Sequence, residues 1–266
     1  SIKELQRDFS GNSFHLHTYM GVYEIRDRDE AVSIMVDKAN IAADTIKNNY
    51  DCCVAYYDEH LLEISIEQRR LLGEFEPALQ NDEFVMYLQP QVKRDGAAKG
   101  AEALVRWVHP SRGILTPYAF IDILENAGLI YKLDLYIWEK AAQKLAEWKE
   151  KGYGSYHISV NISTKDFYII DIYETFTGLI NKYGIAASNL HLEITETTLM
   201  TDFEKNMNII HKLQGVGFRV EIDDFGSGYS SLNMLKDISA DVLKIDMGFL
   251  RKSENEVKGQ DILESI

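Results

Sequence analysis

Residues 219–224, Arg219-Val220-Glu221-Ile222-Asp223-Asp224, alternate apolar with charged side chains, and four other short stretches follow the same rule. In Ala101-Glu102-Ala103-Leu104-Val105-Arg106, the alanines and Val105 occupy one set of positions while Glu102 and Arg106 share the other. Ile158, Val160 and Ile162 alternate with Ser159, Asn161 and Ser163; Leu192 and Ile194 flank Glu193; Leu243 and Ile245 alternate with Lys244 and Asp246. Side chains of a strand point to opposite faces with a period of two residues. Central strands of a parallel sheet covered by helices on both faces should instead read as nearly continuous apolar runs. If the apolar face of each strand packs on helices, the polar faces converge inside a barrel.

The surrounding sequence supports such a layout. Strands are expected at Phe84–Gln89, Gly100–Trp107, His157–Ile162, Leu190–Thr195, Arg219–Asp224 and Asp241–Met247. Helices are expected at Tyr118–Asn126, Leu133–Lys151, Lys165–Lys182 and Asp202–Gln214. Thr116 before Pro117 reads as a helix start, Thr201-x-x-Glu204 as a capping box, and Gly152 and Gly215 as helix stops. Strands and helices alternating at this length predict an α/β fold with a parallel sheet or barrel. Residues 1–72 read as a separate α+β unit, with a strand over Ser13–Tyr23, a helix over Asp29–Asn48 and a strand over Cys52–Tyr57, and a charged connecting helix over Leu61–Leu79 runs across its end. The boundary falls near Gly73, so the domains expected are 1–72 and 73–266.

Composition narrows the function classes. Hydrophobic residues make up 45% and charged residues 26%, which suits a chain that buries a core. Against 28 Lys and Arg stand 42 Asp and Glu, a formal charge of −14. A surface that acidic repels nucleic-acid polymers and anionic lipid, which need clustered cations. The adjacent Cys52 and Cys53 form no disulfide framework or zinc pattern. No run reaches the roughly 20 apolar residues of a membrane helix, and there is no signal-peptide pattern. The chain therefore reads as cytoplasmic, a reading that leaves open a membrane anchor upstream of Ser1.

The chemistry resides in the polar faces. Glu102, Glu193, Asp223, Asp224 and Asp246 are offset by only Arg106, Lys244 and the amide of Asn161. Buried carboxylates are costly unless compensated, and several crowded together call for a divalent cation. All the candidate ligands are hard oxygens, which selects Mg²⁺ or Mn²⁺ over Zn²⁺. In a barrel such a site belongs at the C-terminal ends of the strands.

At these residues the sequence resembles the EAL family. The tripeptide Glu102-Ala103-Leu104 sits in AEALVRWVHP (101–110), preceded by Tyr87-Leu88-Gln89-Pro90. Val160-Asn161-Ile162-Ser163, Leu192-Glu193-Ile194-Thr195-Glu196, the run from Asp223-Asp224-Phe225-Gly226 to Leu232, and Leu243-Lys244-Ile245-Asp246 follow in order. The resemblance implies a TIM-like (β/α) barrel that hydrolyses cyclic di-GMP to linear pGpG with Mg²⁺ or Mn²⁺. It further implies Glu102, Asn161, Glu193, Asp223 and Asp224 as metal ligands, with Lys244 positioning the attacking water or steadying charge. Arg106, Gln89, Leu104 and Asp246 would contact the ligand, and Glu196 would support the metal-binding loop and a homodimer.

Residues 1–72 resemble, less sharply, the trailing half of a GGDEF (diguanylate cyclase) domain, through Tyr19-Met20-Gly21-Val22-Tyr23 and the helix containing Ala39-Asn40-Ile41-Ala42. Its signature loop is not in this sequence, and no cyclase activity is expected of it. Measured against the EAL pattern, the chain carries six strands of eight and lacks the later Glu-Gly-Val-Glu and Gln segments, so the barrel is expected to be incomplete. Two functions from different classes remain: a metal-dependent phosphodiesterase, and a cyclic di-GMP sensor without activity. The intact acidic set favours the first.

Overall fold

The structure, a computed structural model, describes residues 18–47, 52–226 and 240–246. Its contacts divide the chain into two compact units, residues 1–74 and 75–266. The first unit contains β1 (Met20–Val22), α1 (Val32–Asp44), β2 (Val54–Tyr56) and most of α2 (Glu59–Gln80). β1 and β2 pair in parallel, Met20 opposite Val54. Gly21 is required there: a Cβ on it would lie 1.7 Å from the Ala39 carbonyl oxygen, so only glycine lets α1 lie on the strand. The helix expected over Asp29–Asn48 is shorter, and the Ser13–His17 part of the first expected strand lies outside the described residues.

The second unit begins with the last turns of α2 and continues through β3 (Phe84–Val92), β4 (Ala98–His109) and β5 (Gly113–Leu115). A 3₁₀ turn at Pro117–Ala119 leads into α3 (Ile121–Ala127), α4 (Ile130–Glu150) and β6 (His157–Ile162). Then come α5 (Asp166–Ile169), α6 (Ile172–Tyr183), β7 (Leu190–Thr195), α7 (Glu196–Thr201), α8 (Phe203–Val216), β8 (Arg219–Phe225) and β9 (Val242–Ile245). The strands form one sheet in the order β3-β4-β6-β7-β8-β9, with β5 on β4. From β4 to β9 every step along this path is parallel.

The period-two pattern holds in space. Ile158, Val160, Leu190, Leu192, Val220 and Ile222 are at most 1% exposed, facing the helix layer. On that side Trp138 of α4 packs on Phe176 of α6, centroids 4.5 Å apart with the rings tilted by 37°, and its Nε1 donates to the Asn161 carbonyl at 2.9 Å. A second core joins the two ends of the hairpin, where Phe84 lies 4.8 Å from Trp107 and 5.6 Å from Phe120. Burying rings of this size supplies much of the drive for collapse.

Several expectations are corrected. β3 and β4 are antiparallel, Gln89 opposite Glu102; the short connection between them cannot make a parallel crossover, which needs a dozen residues or more. Thr201 is not an N-cap but the last residue of α7, and its Oγ1 donates back to the Thr197 carbonyl at 3.0 Å. Gly215 lies within α8, whose stop is Gly217 in the left-handed region at φ 109°. The turn after Gly226 and the last residue of the expected strand, Met247, lie outside the described residues.

Candidate active site

Lys244 is the centre of the site. It enters from β9, and its Nζ lies 2.9 Å from Glu102 Oε2 of β4 and 3.6 Å from Asp223 Oδ1 of β8, and it also bonds Glu193 Oε1 of β7. Four strands thus deliver one cation and three carboxylates to one place. The register explains this: Asn161 pairs with Glu193, Glu193 with Glu221, and Thr195 with Asp223, so inward positions climb the sheet in step. The last turn of β8 departs from regularity. Asp224 has φ 53° and the β8–β9 register shifts between Ile222 and Phe225, a bulge that re-aims the two aspartates.

The charges do not balance. Glu193 is fully buried, and burial pushes its carboxyl up to about 8, against the pull of the Lys244 hydrogen bond. Burial alone would depress the Lys244 ammonium, but its bonds to Glu193 and Glu102 raise it well above the usual lysine range. Asp224 is raised by what burial it has, then by the neighbouring charges of Asp223 and Asp246. One ammonium cannot neutralise this many carboxylates, and Glu193 Oε2 is buried without a hydrogen-bond partner. An orphaned carboxylate oxygen beside other carboxylates fits a hard divalent cation held by oxygen ligands. Glu102, Glu193 and Asp223 are placed to hold one, with Asp224 and Asn161 at the same ends of their strands.

The remaining expected residues fall around this centre in different ways. Arg106 does not meet the carboxylates: its Nη1 donates to the Val105 carbonyl at 2.7 Å, and its guanidinium lies 5.7 Å from the Tyr87 ring centroid. Gln89 stands across the hairpin from Glu102. Leu104 and Asn161 line a cavity of about 380 Å³, together with Thr195, Glu125, Asp134 and Trp138. Burial and then the charge of Asp166 raise the Asp134 carboxyl, which favours its neutral, protonated form. Glu196 accepts from Gly226 N, and Asp246 N donates to the Phe225 carbonyl at 3.3 Å.

A second polar cluster occupies the other ends of the strands. His157 and His191 stack with centroids 3.7 Å apart and planes within 2°. His191 Nδ1 pairs with Glu221 Oε1 at 2.6 Å, Ser159 Oγ donates to Glu221 Oε2 at 3.1 Å, and His157 Nε2 pairs with Gln91 Oε1 at 2.7 Å. Burial pushes the Glu221 carboxyl up, but His191 and Ser159 together hold it below the usual range. The ligand atoms of His157, His191 and Glu221 lie within 4.8 Å of one another, near enough to bind one metal ion. As arranged, however, both rings direct a nitrogen to an oxygen, and parallel stacked rings cannot aim their in-plane lone pairs at a common ion. Alternation had placed Glu221 and Ser159 on the polar face; following it to His157, His191 and Gln91 would have exposed the cluster.

Comparison with known proteins places these features in context. A family model described as "EAL domain" matches residues 73–266. The bifunctional diguanylate cyclase/cyclic di-GMP phosphodiesterase MucR of Pseudomonas aeruginosa is 32% identical over 226 residues, 85% of this chain and 32% of that protein. The cyclic di-GMP phosphodiesterase PdeR of Escherichia coli is 31% identical over 189 residues, 71% of this chain and 28% of that protein. The solved MucR phosphodiesterase–c-di-GMP complex superposes with a TM-score of 0.68 at 33% identity, covering 74% of this chain and 80% of that one. The chain therefore spans about a third of the length of these curated relatives.

Proposed function

The chain belongs to the EAL domain family, and from that premise we propose that it hydrolyses cyclic di-GMP to linear pGpG. The reaction adds water across one phosphodiester bond, leaving phosphate on one sugar and a hydroxyl on the other. The observation that carries this reading is the convergence of Glu102, Glu193 and Asp223 on one point, with a buried oxygen of Glu193 left unpartnered. That set takes Mg²⁺ or Mn²⁺, with Asn161 and Asp224 completing it. A divalent cation held there supplies Lewis acidity for the attack of water on phosphorus.

The chain's own residues supply the rest. Lys244 orients the attacking water through its ammonium and offsets charge growing on the phosphate, as fixed cations do in phosphoryl transfer. Arg106, turned away from the carboxylates and half-buried, grips a ligand phosphate. Gln89, Leu104 and Asp246 contact the ligand around the strand ends. Glu196 steadies the turn that follows Asp224, and the domain pairs as a homodimer. The domain takes the TIM-like barrel architecture of the EAL type, a reading supported by the parallel run from β4 to β9. The first unit is the trailing part of a GGDEF-like domain, a reading supported by the two activities in the name of its MucR relative.

The test is pGpG release by the protein that carries this chain, with Mg²⁺ and with Mn²⁺. Glu102→Ala and Asp223→Ala should abolish release and leave the circular-dichroism spectrum intact. Turnover that survives a chelator would sink the metal-dependent reading. Tight cyclic di-GMP binding without release in the unmutated protein would make it a sensor instead. Among the described residues no helix is long and apolar enough to cross a membrane.

A further inference from the structure

We propose that Lys244 sets the divalent-metal affinity of this site by acting as its resident counter-ion, so that a neutral residue at position 244 tightens metal binding. The inference rests on the metal site proposed above and concerns what this chain brings to it. Lys244 Nζ touches one oxygen of each of three carboxylates, Glu102, Glu193 and Asp223. Those are the oxygens that a divalent cation would seek. An ammonium and a metal ion drawn to the same ligands compete for them and repel each other, and at a half-buried site solvent screens that repulsion only in part.

The geometry also shows that Lys244 does not complete the site. Glu193 is fully buried, yet its Oε2 has no partner, so the lysine satisfies one half of that carboxylate and leaves the other facing the cluster. Arg106 cannot take over: its guanidinium is held at the Val105 carbonyl and over Tyr87. The single ammonium therefore holds the three acids together against their mutual repulsion, and the same positive charge works against a second cation. These two effects have opposite signs, which separates this role from a purely structural one. Loss of a merely structural lysine weakens the fold and the metal site together.

Titration with Mn²⁺, followed by calorimetry, tests this on the wild-type chain and on Lys244→Met and Lys244→Arg. Thermal melting in excess chelator is measured alongside. Lys244→Met should bind Mn²⁺ at least about tenfold more tightly and melt at a lower temperature in chelator, while Lys244→Arg, which keeps the charge, should stay near wild type in both. Equal or weaker Mn²⁺ binding by Lys244→Met overturns the proposal. So does equal tightening by Lys244→Arg, because shape and not charge would then be responsible. If Lys244→Met does not fold in chelator, its affinity is read by competition between protein and chelator after refolding with Mn²⁺, where tighter binding supports the role and equal or weaker binding overturns it. Glu102→Ala separates the two layers: if it binds Mn²⁺ as well as wild type, the metal site itself is lost, and not just the role of Lys244.

Discussion

Gly226 N donates to Glu196 Oε2 at 3.0 Å, tying the turn after β8 to the first residue of α7. Glu196 is 4% exposed and lies three residues beyond Glu193, while Gly226 lies two beyond Asp224. One hydrogen bond thus couples the ends of the two strands that carry most of the acidic cluster. A carboxylate in the first turn of a helix is also favoured by the helix dipole. Glu196→Ala should cost roughly 1.5–3 kcal/mol, the range for a hydrogen bond to a charged group, and should weaken Mn²⁺ binding as the turn loses its anchor. Urea unfolding and a Mn²⁺ titration check both; undiminished Mn²⁺ affinity in a folded Glu196→Ala protein would break the link.

Gly100→Ala should be costly for a local reason. A Cβ there would stand 2.5 Å from Cδ2, Cε1 and Nε2 of His157. The ring cannot step aside easily, because it is stacked on His191 and bonded to Gln91. Overpacking of this kind costs roughly 1–3 kcal/mol. The same change in a His157→Ala background should cost much less, and a double-mutant cycle on unfolding free energies measures the difference. Equal costs in both backgrounds would show that the clash is relieved elsewhere.

His157 gives the fold an acid limit. Burial first, and then the adjacent His191, push its imidazole down to about 4. Above an ordinary histidine pKa of roughly 6.5 the ring is neutral in both folded and unfolded chains and pH has no effect through it. As pH falls from there toward 4, the unfolded chain takes up a proton that the folded one refuses, so stability drops across this window. His157→Asn should flatten the decline. The measurement is unfolding free energy against pH for both proteins, and parallel curves between pH 6.5 and 4 would remove His157 as the cause.

Arg106→Ala should weaken binding of cyclic di-GMP by about 1.5–3 kcal/mol, the value of a charged hydrogen bond. The side chain has no part in the Lys244 cluster, so Mn²⁺ affinity should not change. Calorimetry with nucleotide and with Mn²⁺ separates the two. A loss of Mn²⁺ binding in Arg106→Ala would mean that the residue shapes the acidic cluster and not the ligand grip.

Much of this molecule was legible without coordinates, because the side-chain faces of a strand follow from the period of the backbone alone. Alternation in Ala101–Arg106, Ile158–Ser163, Arg219–Asp224 and around Glu193 and Lys244 was enough to separate the core positions from the acidic ones. It also identified Glu102, Glu193, Asp223 and Lys244 as companions. Alternation carries no information about strand direction, so the antiparallel β3–β4 hairpin was missed; the one local signal for it is the shortness of its connection. Local helix signals misled where two helices meet: Thr201 and Glu204 have capping-box spacing, but α7 already occupies Thr201. Only the tertiary structure decided which cation meets the acids. By alternation alone Arg106 and Lys244 look equivalent, and where the family resemblance separates their roles the structure supplies the physical cause. The parallel pairing of β8 with β9 carries Lys244 to three carboxylates, and the hairpin turns Arg106 toward Tyr87. The stacking of His157 on His191 was likewise decided in space, because β6 and β7 come together through hydrogen bonds between segments more than thirty residues apart, and no local rule encodes that distance.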